Sequence, residues 1–167
     1  MKTLLLILAI LVTCTSKSNS QRDTGSPCPT VAVTVTLAAD TFKFGTDISV
    51  VITLTNKSTS VQSVWFDKPK HSTGGPAWTS VTLINKVTGK SVLLYENKAV
   101  LESQTYSSEQ VKDFSYQLKP GQSVSGQFSL YDLVVLLGHD QKLEKGNYEM
   151  QIFYCFSSSN QLNFTVN

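Results

Sequence analysis

The sequence predicts an all-β domain, a two-sheet antiparallel sandwich of about eight short strands with Greek-key connections. Three observations lead there. Apolar residues alternate with Thr and Ser in run after run, as in Val31-Ala32-Val33-Thr34-Val35-Thr36-Leu37, which is the period of a half-buried strand. Turn chemistry separates the runs at short intervals. No stretch of useful length repeats its apolar residues with the helical period.

The elements follow in order. Val31–Leu37 forms the first strand, and Phe42, Phe44 and Gly45 mark a turn. Ile48, Val50, Ile52 and Leu54 carry a second strand that ends at Asn56, and Val61–Phe66 a third, containing Trp65. A loop covers 67–76. Trp78–Asn85 and Ser91–Tyr95 make a hairpin around Lys86-Val87-Thr88-Gly89-Lys90, where Gly89 supplies the positive φ. Residues 96–110 are irregular. Phe114, Tyr116 and Leu118 alternate into the turn Lys119-Pro120-Gly121-Gln122, and Val124, Phe128 and Leu130 carry the return. Residues 131–141 have room for a helical turn. Met150, Ile152 and Tyr154, then Leu162, Phe164 and Val166, give the last two strands.

The first thirty residues set the compartment. Met1-Lys2-Thr3 precedes an unbroken apolar run from Leu4 to Val12, the layout of a signal peptide. The run is shorter than the roughly 20 residues a membrane span requires. Two cleavage readings stand. A signal peptide of residues 1–20 ends at Ser18-Asn19-Ser20, with small residues at the −3 and −1 positions before Gln21. Alternatively, Leu11-Val12-Thr13-Cys14 resembles a bacterial lipobox, with a leader of 1–13 and Cys14 lipidated; Thr13 stands where that pattern usually has Gly, Ala or Ser. Residues 21–30 read as a Ser/Pro-rich linker and 31–167 as the domain. The expected location is extracytoplasmic, either secreted or as an envelope lipoprotein held to the membrane only by its lipid.

Charge narrows the partners. Without residues 1–20, which carry Lys2 and Lys17, the 14 basic residues of the chain fall to 12 and match the 12 acidic ones. A neutral domain gives no electrostatic case for nucleic acid. Processing at or after Cys14 leaves Cys28 and Cys155, and in an oxidising compartment such a pair is expected as a disulfide. A bridge closing so long a loop contributes roughly 4–5 kcal/mol in the chain-entropy view. Cys155 shares its face with Phe153, opposite the Tyr148, Met150 and Ile152 row, which puts it at a sheet margin.

Several pieces resemble immunoglobulin-like accessory domains: Leu54-Thr55-Asn56, the Asn85-to-Lys90 turn, Leu118-Lys119-Pro120-Gly121-Gln122-Ser123, and Leu143-x-x-Gly146-x-Tyr148. The last looks like a tyrosine corner, in which a Tyr hydroxyl bonds nearby backbone. The same order of signals, over roughly residues 31–166, is similar to bacterial intracellular proteinase inhibitor domains and to the pro-regions of deuterolysin-type metalloproteases. The resemblance implies an immunoglobulin-like sandwich and a non-catalytic module that inhibits or chaperones a protease. No inhibitory loop carries over residue by residue, and the export signal departs from the intracellular inhibitors.

The search for chemistry ends without a catalytic constellation. The two histidines, His71 and His139, fall in predicted loops beside Asp67 and Asp140. Metal-ligand spacings, phosphate-binding glycine patterns and a Gly-x-Ser-x-Gly setting are absent from the sequence. No enzyme activity, cofactor or metal is therefore expected. Recognition is assigned to the loop His71-Ser72-Thr73-Gly74-Gly75 and the flanking Trp65 and Trp78, since loops on a rigid sandwich carry recognition and tryptophans make anchors. The bland reading is that Gly-Gly-Pro is ordinary turn chemistry and that either Trp fills the core. Asn56-Lys57-Ser58 and Asn163-Phe164-Thr165 fit the N-glycosylation pattern, conditional on a eukaryotic source, with both asparagines expected outward or at a strand end. The leading expectation is an exported, non-catalytic module that binds a protein or surface partner. A protease inhibitor or propeptide-like regulator is the alternative, and a structural envelope or adhesion component the third.

Overall fold

The computed structural model describes residues 29–66, 79–95, 112, 115–138 and 142–167. Two sheets carry the architecture. The first is β1 (Val31–Leu37), β3 (Ser49–Asn56) and β9 (Ser123–Ser129), in the order β1-β3-β9. The second runs β2 (Thr41–Phe42), β13 (Leu162–Val166), β11 (Gly146–Tyr154), β5 (Thr79–Asn85) and β6 (Lys90–Ser91), with β12 (Ser157–Ser158) folded back on β11. Two ribbons complete it, β4 (Gln62–Trp65) with β8 (Ser115–Leu118), and β7 (Leu93–Tyr95) with β10 (Val135–Leu136). A single helical turn, α1 (Leu130–Leu133), is capped by the Ser129 hydroxyl, which accepts from the Tyr131 N–H.

Alternation does what the sequence predicts. Val33, Val35, Val50, Ile52 and Leu54 turn inward from one sheet and meet Leu83, Met150, Ile152 and Phe164 from the other in one continuous core. The result is an immunoglobulin-like antiparallel sandwich. It has one parallel exception: β2 pairs with β13. The chain crosses between sheets within residues 38–40, and β2 is thereby laid beside the last strand, where the Thr165 N–H donates to Asp40 O at 2.8 Å.

Two expectations need correcting. The strand expected over Ser91–Tyr95 breaks at Val92, because Val92 N–H reaches back to Leu83 O while Leu93 and Tyr95 pair with β10 instead of β5. Leu130, expected on the returning strand, opens α1, since the Ser129 cap starts a helical turn there. The turns fall as predicted, with Gly45, Gly89 and Gly121 at φ of +80°, +66° and +79°.

Tyr154 ties the two layers together at one end of β11. Its buried hydroxyl accepts from the Trp65 N–H at 3.1 Å and donates to Trp65 O at 3.2 Å. Burial pushes this phenol up to about 12, against the lowering effect of the Trp65 bond. An unfolded tyrosine titrates near 10, so between these values the folded chain keeps a proton that the unfolded chain has lost. Stability is therefore intact below about pH 10 and falls as pH rises toward 12, by roughly 2–3 kcal/mol. Urea midpoints measured across that window should drop, and Tyr154→Phe should flatten most of the slope.

Candidate functional site

The opposite end of β11 carries a concave surface. Tyr148 anchors it. Its ring stacks on Phe164 with centroids 5.5 Å apart, and its hydroxyl donates to Glu144 O at 2.8 Å. This is the tyrosine corner the sequence resembles. Burial first, then the nearby Glu144 charge, raises the Tyr148 phenol above its ordinary value. Across from it, Asn85 Oδ1 accepts from Val87 N–H at 2.9 Å and Thr88 N–H at 3.2 Å, and so holds the β5–β6 turn.

Between that turn and residues 136–138 and 142–144 lies a cleft of about 340 Å³. Tyr148 and Leu143 form its floor. Phe44 and Leu137 stand at its walls, 52% and 55% exposed, although each is large and apolar. Gly138, at φ +114°, adopts a backbone open to glycine and lets the chain turn at the rim. Lys90 and Lys142 project there as well. The Lys142 ammonium crosses Gly45, lying 3.9 Å from where a Cβ on that glycine would sit. Among the described residues neither ammonium has an ion pair or a hydrogen bond. Apolar walls beside two ammonium groups suit an amphipathic ligand.

A second concavity of about 440 Å³ lies beside β2 and β13 and is shallower. Some of its polar groups bond one another: Lys86 Nζ donates to Asn163 Oδ1 at 2.7 Å, and Thr165 Oγ1 bonds Asn147 Oδ1 at 2.8 Å. Among the described residues there is no group of three or more His, Cys, Asp or Glu poised to hold a metal. No helix of the described residues is long and apolar enough to cross a membrane.

The residues singled out in the sequence fall unevenly. Trp65 is half-buried, and its backbone clamps Tyr154. His71, Ser72, Thr73, Gly74, Gly75 and Trp78 lie outside the described residues, as do His139, Cys14, Cys28, the leader and most of the linker. Cys155 occupies the turn after β11 at φ +54° and is half-buried against the core. Phe156 beside it is 93% exposed, at the Trp65 end of the sandwich. Asn163 is exposed on β13.

Asn56, expected outward or at a strand end with a glycan conditional on a eukaryotic source, closes β3 and is fully buried. Its Nδ2 donates to Ser60 O at 2.7 Å and Leu118 O at 2.8 Å, while Oδ1 accepts from Ser58 N–H and Oγ–H at 2.8 and 2.7 Å. Every bonding position of the amide is used inside the fold, and a sugar on Nδ2 is incompatible with that packing.

Fold and cleft together define an immunoglobulin-like sandwich with a ligand-sized recess at one end. No protein-family profile matches the chain, and no curated protein matches it either. Among solved structures, it is similar to a CARDB domain from Pyrococcus furiosus solved in complex with di-metal ions. The match has 9% identity and a TM-score of 0.40, covering 84% of this chain and 90% of that one. So distant a likeness assigns neither ligand nor function.

Proposed function

We propose that the protein is an exported, non-catalytic binding module that takes a protein or surface partner at the Tyr148 end of the sandwich. The observation that carries this reading is the cleft, where Phe44 and Leu137 remain exposed beside the unpaired Lys90 and Lys142. Large apolar side chains held open on a rigid frame, rimmed by charge, are the makings of a recognition surface. The narrower role of protease inhibitor or propeptide-like regulator rests on the turn motifs alone.

Export and the Cys28–Cys155 bridge belong to the same proposal. In support, Cys155 is engaged rather than free. The turn it opens lies against β1, where Asn160 bonds Val35, so the end of β11 sits close to the strand that Cys28 precedes.

One experiment tests these points together: lysine-reactive cross-linking in the native host, followed by mass spectrometry of the purified protein. The expected product starts at Gln21 or at a lipidated Cys14, gains two hydrogens on reduction, and carries cross-links from Lys90 and Lys142 to another protein. An unprocessed Met1 terminus would end the export reading. Cross-links confined to lysines distant from the cleft would end the assignment of the site.

A further inference from the structure

The three-stranded sheet has two edges, and the molecule treats them differently. Along β9, the Asn56 N–H reaches Gln122 O at 2.9 Å and the Leu130 N–H reaches Ile48 O at 2.8 Å. With Ile52 opposite Gly126 in the register, Val124, Gly126 and Phe128 turn their backbone groups toward β3. Ser125 and Gln127 therefore aim both N–H and C=O outward. Among the described residues no strand pairs with that side of β9, and both residues are exposed.

Sheet edges are ordinarily closed by a charge, a proline, a bulge or a covering segment. The edge at β1 is closed in this way. Val35 N–H donates to Asn160 Oδ1 at 2.9 Å, and Val35 O accepts from Asn160 Nδ2 at 3.0 Å, so one side-chain amide stands in for a neighbouring strand. Among the described residues the β9 edge has none of these devices. Ser123-Val124-Ser125-Gly126-Gln127-Phe128-Ser129 contains no charge and no proline, and its register against β3 runs unbroken from Ser123 to Ser129.

We propose that the β9 edge is a self-association surface, at which a second copy of this chain adds its own β9 antiparallel across a two-fold axis. Centred on Gly126, such pairing lets Ser125 exchange both backbone bonds with Gln127 of the second copy, and joins two three-stranded sheets into one of six. The composition of the strand suits a like partner. In an isologous contact each surface meets itself, and an uncharged strand sets no like charges opposite one another. Ser and Gln both donate and accept, so they pair with their own kind. The face already does this within one chain, where Ser125 and Ser123 hydroxyls bond Thr53 and Thr55 at 2.7 and 2.8 Å. A single seven-residue edge buries less than a standard stable interface, so the dimer is concentration-dependent rather than obligate. This proposal is independent of the cleft and stands or falls without it.

Sedimentation velocity of the processed protein over a wide concentration range is the test, with Ser125→Pro and Gln127→Lys beside the wild type. The Ser125 N–H is not used by β3, so proline there removes an outward donor and leaves the inner ladder whole; Gln127→Lys keeps the backbone and adds a charge. The expected result is a dimer fraction that grows with concentration in the wild type and disappears in both variants, with unchanged melting for Gln127→Lys. Should Ser125→Pro fail to fold, Gln127→Lys decides alone. A wild type monomeric throughout, a dimer that survives Gln127→Lys, or one that falls apart only on reduction overturns the proposal. So does a monomer whose β9 amides become protected only when another protein binds, which would give the edge to a foreign strand.

Discussion

Asn56→Ala should lower the unfolding free energy by about 3 kcal/mol, a large share of what a domain of this size has to lose. The amide joins the end of β3 and the 57–61 connection that follows it to the end of β8, far along the chain. Its four bonds are short, and two of them hold backbone carbonyls, Ser60 O and Leu118 O. Truncation leaves Leu118 O buried without its donor, and it is the unmade bond that dominates the cost. Asn56→Asp separates geometry from chemistry. It keeps the shape and the two acceptor contacts to Ser58, but it sets a carboxylate oxygen against both carbonyls. Its loss should equal or exceed that of alanine. Urea unfolding with an unchanged slope is the measurement, and a loss below about 1 kcal/mol for both variants would mean that water replaces the amide.

Gly126→Ala should cost a further class of energy, about 2–3 kcal/mol from overpacking. The backbone is ordinary strand there, so conformation is not at issue. A Cβ on this residue would lie 2.7 Å from Phe66 Cε1 and 2.9 Å from the Phe128 ring. Neither ring can step aside. Phe66 is fully buried and sits edge-on to Phe128 at 5.7 Å and to Tyr116 at 6.5 Å. The missing side chain is what lets the β4–β8 ribbon close over β9. A double-mutant cycle checks the cause: Phe66→Leu is destabilising alone, but combined with Gly126→Ala it should recover part of the loss, because the smaller side chain vacates the space. Strict additivity would sink the steric account.

The sequence revealed the frame of this molecule better than its site, for a physical reason. Strand faces are set by a period of two, so Val50, Ile52 and Leu54 could be placed inward without knowing what they would touch. Turns are set by local backbone chemistry, which made Gly89 and Gly121 readable, and the tyrosine corner was readable because its bond spans only four residues. Asn56 is legible as a strand end but not as a buried one, for the opposite reason. Its burial depends on Leu118, which lies far along the chain, and the tripeptide pattern around it carries no trace of that neighbour. The cleft was missed in the same way. Phe44 was visible as part of a turn, and Leu137 as one of several leucines, but their exposure arises only when the β5–β6 turn and residues 136–138 and 142–144 are brought together. The bare edge of β9 was equally hidden, since its alternation reads the same whether or not another strand lies beyond it.

The place of β13 has a consequence for the order in which the domain can be made. This strand, the last of the described strands in chain order, is inserted between β11 and β2, and among the described residues β2 has no other strand partner. A ribosome delivers the wall before the piece that locks it. Until Leu162–Val166 emerges, β11 keeps an open side and the crossover at residues 38–40 has nowhere to dock, so the nascent domain stays a half-built sandwich up to that point. Such a domain is late to fold by construction.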